Sequence, residues 1–499
     1  LLERKPSHRI TSWKPFNSEN WIDRFGPDQA CIQRCDLVET ELKTNHHDST
    51  AMKNLLIICS TLIVAMSSLQ ATQPNIVFVL ADDLGWGDVA FHGGITPTPH
   101  LNQLAREGLE LTQHYVAPVC SPTRSGFLTG RYWSRFNITT PINTRGLPWN
   151  TVTLPKALKE IGYDTCLIGK WHLGSKPEWG PNRYGFDHAY GSLAGGISPW
   201  NHRYKKGDYT LTWHRNGELI EEEGHVTDLL TREAVGWIHE RDETPFLLYV
   251  PFTAVHLPLK EPTEWLNQVS DSITDEVSRH YSASVMHLDD SVGKIVKALE
   301  QAGKRENTLF IFSSDNGGST AENNDLKYPD DRCPNGRLPG NNLPLRGQKG
   351  TIYEGGTRVP TLVSWPGHIK SGKNNTPVHI TDWMPTFCAL AGYVSQTGLN
   401  WDGTDLSELL RGKPVNLKDR FIYSAAPNWR ASSLRQGEWK LIVTDRKPAN
   451  EIELFNITKD PSESFNLASV ESQRVAMMLK QLKASTTADG EAKVDESNE

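Results

Sequence analysis

Cysteine is scarce in this chain. Seven occur in 499 residues, and three of them, Cys31, Cys35 and Cys59, precede the region that reads as folded. The other four, Cys120, Cys166, Cys333 and Cys388, show no paired spacing of the kind that binds zinc or staples a small secreted domain. A bridge between two of the last three stays open, and Cys120 stands apart. A strong charge of one sign is also missing. The net charge is -7, with 22% charged residues and no basic stripe, which argues against a nucleic-acid partner. The apolar stretch from Leu55 to Met66 is too short to span a bilayer comfortably, so no stable membrane insertion is expected. Tryptophan, by contrast, is plentiful at sixteen. Such rings fill cores more often than they stack on sugars.

The first segment, "LLERKPSHRI" onward, has no initiator methionine and no hydrophobic periodicity through Thr50. Met52 then opens "MKNLLIICSTLIVAMSSLQA", in which one lysine precedes the apolar run and small or polar residues follow it. That is the pattern of a secretory signal peptide with a cut near Ala71. Residues 1–51 are therefore expected to be an upstream or non-native leader, 52–71 a signal peptide, and the mature protein secreted or periplasmic. The length suits two or three domains, or one large α/β domain with an appendage.

From Pro74 onward, strand-like and helix-like stretches alternate. "NIVFVLADDLG", "TPFLLYVPFTAVHLP" and "NTLFIFSSDNGG" are continuous apolar runs, as expected of strands buried on both faces of a parallel sheet. "PHLNQLAREGLEL" predicts a short amphipathic helix, and Leu154, Leu158 and Ile161 share another helix face. Tyr281, Val285, Leu288, Val292, Ile295 and Leu299 recur every three or four residues, which predicts a helix from Asp275 to Ala302. The expected fold class is α/β, with a large doubly wound mixed sheet flanked by helices. From Phe421 the pattern changes to hairpin-spaced short strands and a last helix, expected as an antiparallel α+β subdomain over 421–484. Residues 485–499 are polar and acidic and read as a disordered tail.

In doubly wound sheets, ligands bind at the carboxyl ends of the strands. Asp82 and Asp83 end one predicted strand, and Asp315 and Asn316 end another. All four offer oxygen donors, the preference of calcium and magnesium, although strand-end Asp and Asn also cap turns. Cys120 opens "CSPTR", with Pro122 in a first helical turn and Arg124 beyond it. A helix amino terminus with an arginine fork attracts oxyanions such as sulfate or phosphate. A buried structural thiol is one alternative. A phosphatase-type thiolate is another, but that pattern has five residues between Cys and Arg, and here three intervene.

"CSPTRSGFLTGRY" resembles the signature of the type I sulfatases in the alkaline phosphatase-like superfamily. "ADD" (Ala81 to Asp83), "GKWHLG" (Gly169 to Gly174), "SSDNGG" (Ser313 to Gly318) and "RGQKGTIYEGGTRVP" (Arg346 to Pro360) match the same family in the same order. The resemblance covers Pro74 to about Ala468 and looks most like the arylsulfatase B (N-acetylgalactosamine-4-sulfatase) branch and its bacterial relatives. It implies a catalytic domain over 72–420, and a formylglycine made from Cys120 by a formylglycine-generating maturation enzyme. The aldehyde hydrate has two hydroxyls, one to attack sulfur and one to expel sulfate. The resemblance also implies one calcium ion on Asp82, Asp83, residue 120, Asp315 and Asn316. Arg124 would steady the diol and the carboxylates, and Lys170 and Lys349 would bind sulfate oxygens. His172 would act as base toward the diol, and His256 would protonate the leaving alcohol. Taken singly, the lysines read as solvated charge and the histidines as satisfied core residues.

The implied activity is that of a sulfuric ester hydrolase acting on a sulfated polysaccharide or glycosaminoglycan. A phosphonate monoester hydrolase or phosphodiesterase of the same superfamily is the alternative, and a secreted sugar-binding protein with a dead site is a third reading. The segments Gly191 to Glu218 and Glu322 to Pro344 are expected to frame the pocket, with Trp200, His202, Arg203 and Arg332 either contacting sugar or decorating loops.

Overall fold

Strand β1, Asn75–Ala81, is apolar at nearly every position because both its faces are covered. Ile76, Phe78 and Leu80 face one core, with Phe127, Trp383 and Phe387. Val77, Val79 and Ala81 face a second core, with Leu229, Ile238, Val285 and Leu288. The alternation follows from the two-residue period of a strand. The computed structural model describes residues 73–495 apart from 325, 327, 329–331, 396–397, 416, 418–419 and 446–448. The leader and signal-peptide segments lie outside the described residues.

The remaining strands of the main sheet are β2 (Leu109–Leu111), β3 (Asp164–Lys170), β4 (His188–Ser192), β5 (Trp213–Arg215), β6 (Glu218–Leu219), β7 (Phe246–Pro251), β8 (Thr308–Ser314), β9 (Leu362–Ser364) and β10 (Gly372–Asn374). Their order is β10-β2-β9-β8-β1-β7-β3-β4-β5-β6. The five central strands β8, β1, β7, β3 and β4 are parallel. Antiparallel β9 and β5 flank them, so the sheet is mixed. One face carries α1 (Pro99–Glu107), α4 (Val226–His239) and α5 (Glu276–Gln301); the other carries α2 (Cys120–Thr129), α3 (Leu154–Lys159) and α6 (Trp383–Ala391).

The predicted long helix is α5, with Asp275 as N-cap accepting from Ser278 N. Helix α3 is shorter than the apolar spacing implied: it ends at Lys159, and Ile161 lies in the turn beyond, still packed on the core. A second sheet, antiparallel and four-stranded, runs Phe421–Ala425, Ala431–Gln436, Trp439–Thr444 and Glu451–Asn456, and helix α7 (Ser472–Ser485) packs on it. All of these elements belong to one compact unit.

The disordered tail does not hold for its described part. Arg135 donates to Ser485 O at 2.7 Å and to Asp489 Oδ1 at 2.8 Å. Tyr423 Oη donates to Asp489 at 2.7 Å, and the Gly490 and Ala492 amides donate to Ser134 O and Arg135 O. Polar composition misled here because a buried arginine offers the tail partners that no local pattern reveals. Cys120, Cys166 and Cys388 carry free thiols, so no bridge joins any two of Cys166, Cys333 and Cys388.

Candidate active site

Strands β1 and β8 run side by side with Ala81 opposite Ser314. Their following residues, Asp82-Asp83 and Asp315-Asn316, therefore emerge together at one sheet edge. Asp83 adopts a left-handed backbone, φ 64°, and its amide donates to Asp315 Oδ1 at 3.3 Å. The next amide, Leu84 N, donates to Ser314 Oγ at 3.1 Å. Asn316 Nδ2 donates to Asp83 Oδ1 at 2.7 Å.

Helix α2 brings Cys120 to the same point. All ten of its residues are buried, and Gly130 ends it in the left-handed region that glycine favours. The Cys120 thiol lies 3.6 Å from Asp82 Oδ1. Two consecutive side chains lock the helix to the strand ends. Thr123 Oγ1 donates to Asp315 O at 2.6 Å while accepting from Ala117 N. Arg124 donates to Lys170 O at 2.6 Å and to Asp315 Oδ2 at 2.8 Å.

Two lysines complete the charge balance. Lys170, the last residue of β3, places its ammonium on Asp82 Oδ2. Lys349 sits 2.7 Å from Asp83. Its own amide bonds Gly318 O, and the next amide bonds Pro118 O, which ties this loop to both acidic and cysteine segments. Gly317 allows the close approach: a Cβ there would lie 1.8 Å from Gly355 O.

The histidines stand on either side. His256 Nε2 lies 3.9 Å from Asp83 Oδ2, while Nδ1 bonds Leu257 O. His172 is buried at φ 58°, and its Nδ1 has no hydrogen-bond partner. Gly195 is packed on that ring, since a Cβ there would lie 2.0 Å from His172 Nε2. The structure thus brings together Asp82, Asp83, Cys120, Arg124, Lys170, Asp315, Asn316 and Lys349 through direct contacts, with His256 just beyond hydrogen-bond distance of Asp83. His172 adjoins them; Lys170 and Arg124 act on its charge.

The electrostatics match a crowded acidic centre. Burial, and then the neighbouring Asp315, raise the Asp82 carboxyl well above the usual range. Burial also works against charge on Asp83, but Lys349 and His256 outweigh it and bring the carboxyl down to about 2. Burial and the Asp315 charge push the Cys120 thiol up to about 12. An unmodified thiol here is protonated at neutral pH and a poor nucleophile. Burial first, then the adjacent lysines, hold both His172 and His256 well below the ordinary imidazole range.

Donor atoms of Asp82, Asp83, Cys120 and Asp315 lie within 4.8 Å of one another, all buried. Asn316 Oδ1 is buried and unpartnered. Carboxylates packed this closely beside an orphaned carbonyl oxygen fit a hard divalent cation.

Three contacts were not legible as site features. Thr123 splints helix to strand. Gly196 abuts both Tyr328 and His256, since its missing Cβ would lie 2.8 Å from Tyr328 Oη and 3.1 Å from His256 Cε1. Tyr328 and Gly196 fall in the two segments expected to frame the pocket, but only tertiary contact singles them out. Of the expected sugar contacts, His202 turns inward, bonding Gly224 O and stacking on Trp213. Trp200 is partly exposed and donates to Lys260 O; Arg203 is exposed and pairs with Glu221; Arg332 is exposed.

Comparison with known proteins places these features in context. The family profile described as Sulfatase matches residues 74–393, and one described as N-sulphoglucosamine sulphohydrolase, C-terminal, matches 348–489. The chain is 34% identical to mouse (Mus musculus) arylsulfatase J over 468 residues, covering 82% of this chain and 75% of that protein. It is 34% identical to mouse N-acetylgalactosamine-6-sulfatase over 402 residues, covering 75% and 72%. Among solved structures, Ps i-CgsB in complex with k-i-k-neocarrahexaose superposes with a TM-score of 0.76 at 31% identity, covering 85% of this chain and 96% of that one.

Proposed function

The chain belongs to the sulfatase family and is a sulfuric ester hydrolase; on that premise we propose that it removes sulfate from a carbohydrate ester, using a formylglycine made from Cys120 beside one calcium ion. The observation that carries this reading is the convergence of three buried carboxylates, the orphaned Asn316 oxygen and Cys120 at one sheet edge. Asp82, Asp83, Asp315, Asn316 and residue 120 would hold calcium, which supplies positive charge to polarise the sulfate. Formylglycine at position 120 would supply a hydrated aldehyde, with one hydroxyl as nucleophile toward sulfur and a second for release of sulfate.

The remaining steps fall to this chain's own side chains. Arg124 fixes Asp315 and the carbonyl of Lys170, holding helix α2 in register with the strand ends. Lys170 and Lys349 donate to sulfate oxygens where charge grows in the transition state. His172, next to Lys170 and Arg124, accepts a proton from residue 120. His256 keeps Nδ1 on Leu257 O, which leaves Nε2 toward the site; the negative charge of bound sulfate offsets the burial and the lysines that hold this imidazole neutral, so that Nε2 carries the proton it passes to the departing oxygen.

A sulfated polysaccharide or glycosaminoglycan suits the names of the relatives, one an N-acetylgalactosamine-6-sulfatase and one solved with a neocarrahexaose. The motif flanks favour an N-acetylgalactosamine sulfate. Met52 to Ala71, read as a signal peptide, supports export to a secreted or periplasmic site, with a formylglycine-generating enzyme as maturation partner. Among the described residues no helix is long and apolar enough to cross a membrane.

The test is release of inorganic sulfate from a panel of sulfated oligosaccharides by the mature protein. Release should stop on chelation, return with calcium, and be absent in Cys120→Ala. Faster turnover of a phosphonate monoester or phosphodiester than of every sulfate ester would overturn the reading.

A further inference from the structure

The segment that carries His256 does not end at the catalytic edge. It leaves β7 at Pro251, and Asp82 grips it by two backbone hydrogen bonds: Asp82 N donates to Ala254 O, and Val255 N donates to Asp82 O. Beyond His256, Leu259 N donates to Asn323 Oδ1 at 2.8 Å. Glu261 comes next, wholly buried in a loop whose role in chemistry is otherwise unassigned.

A buried carboxylate is costly unless charged or donor groups face it. Glu261 is faced from two helices. His287 of α5 lies 2.9 Å from Glu261 Oε2 through Nδ1, and its Nε2 lies 3.1 Å from Asp228 of α4. His225, the N-cap of α4, points Nε2 at Glu261 Oε1 from 3.7 Å, and that nitrogen is buried with no hydrogen-bond partner. The rings of His225, His287 and Trp265 form one stack. The Glu261 amide donates to His280 Nδ1 at 2.8 Å. His225, Glu261 and His256 line one small cavity, with about 10 Å³ open to the centre of a water molecule, close to the least that admits one.

We propose that Glu261 is a positioning residue for His256: its carboxylate, clamped by His287 and faced by His225, anchors the far end of segment 252–261 to helices α4 and α5, and so holds the His256 imidazole at the edge of the carboxylate cluster. Two anchors bracket the histidine. Asp82 fixes the near end through the backbone, and Glu261 fixes the far end through its side chain. Asp228 continues the clamp by orienting His287.

The inference rests on the assignment of His256 to the reaction, and a double-mutant cycle separates the two. In the full-length mature protein, kcat and KM are measured on a sulfated oligosaccharide and on 4-nitrophenyl sulfate for Glu261→Ala, Glu261→Gln, His256→Ala and the double variant Glu261→Ala with His256→Ala. Glu261→Ala should lower kcat by about 10- to 100-fold on whichever substrate His256→Ala damages, the scale on which a misplaced group costs rate. KM should change little, and Glu261→Gln, which keeps the shape and an acceptor for His287, should recover part of the loss. In the His256→Ala background, Glu261→Ala should add almost nothing.

Additive losses in the cycle would overturn the proposal, as would an effect of Glu261→Ala on the thermal midpoint with kcat unchanged. Should His256→Ala prove silent on both substrates, the acid assignment fails; a kcat loss in Glu261→Ala would then overturn the positioning inference as well, because that loss could not pass through His256. Where Glu261→Ala fails to fold, Glu261→Gln carries the same cycle.

Discussion

Arg124 and Asp315 form an ion pair at 2.8 Å with both side chains fully shut off from solvent. The pair joins the helix that bears Cys120 to the strand end that bears the acidic pair. Burial makes it consequential: removing one partner strands a charge in a low-dielectric interior. Arg124→Met should therefore destabilise the protein by about 3–5 kcal/mol, the usual penalty for breaking a buried pair. Denaturant titration measures this, and a loss of less than about 1 kcal/mol, as for an exposed pair, would show that Asp315 is compensated elsewhere.

The raised thiol pKa gives Cys120 a chemical signature. As unmodified cysteine it should resist alkylation at neutral pH, since burial keeps it protonated. In active protein the peptide containing residue 120 should be lighter by about 18 Da, the change from CH₂SH to an aldehyde in this oxidation chemistry. Mass spectrometry across preparations should show activity proportional to the lighter fraction. Full activity with only free thiol contradicts the mechanism.

His256 and His172 should respond differently to the leaving group. A sugar hydroxyl needs a proton as it departs, whereas nitrophenolate leaves nearly unaided. His256→Ala should impair glycan desulfation more than aryl sulfate hydrolysis, by about 10²–10⁴-fold, the worth of a positioned acid. His172→Ala should slow both substrates and let a sulfated enzyme accumulate, visible by intact-mass measurement. Equal losses in both variants without an adduct would show that the roles are not divided this way.

The cluster around Glu261 predicts a pH optimum of stability. Burial disfavours a charged His287, but Asp228 and Glu261 outweigh it and raise its pKa from 6.5 to about 9. This contribution is fully present below about 6.5 and fades as pH rises through 9. His225 is the opposite case: burial lowers its pKa to about 4, so its contribution is present above 6.5 and fades as pH falls through 4. Glu261 and Asp228 face both rings, and His202 also acts on His225. His287→Gln should remove about 1–2 kcal/mol near neutrality, an amount trimmed because Asp228 is half-exposed, and should flatten the alkaline limb. Thermal midpoints of both proteins between neutrality and pH 9.5 read this directly; parallel curves would refute it.

The sequence by itself determined the layered fold. Continuous apolar runs such as Asn75–Ala81 require cover on both faces, and the three- and four-residue spacing from Tyr281 to Leu299 specifies a helix, because these periods are local consequences of backbone geometry. It also marked Asp82, Asp83, Cys120, Arg124, Asp315 and Asn316, since motif spacing survives in one dimension. What lay across the chain was left to tertiary structure. Glu261, His225 and His287 belong to three separate segments, and no spacing announces that a loop and two helices meet there. Thr123 carried no signal of its own, because the Asp315 carbonyl it binds comes from a strand end nearly two hundred residues away. The tail was misjudged for the same reason: its polar residues lack local partners, and only the folded chain brings Arg135 and Tyr423 to Asp489. Periodicity is set by neighbours in sequence, whereas burial of a charge depends on whatever distant group can pay its desolvation.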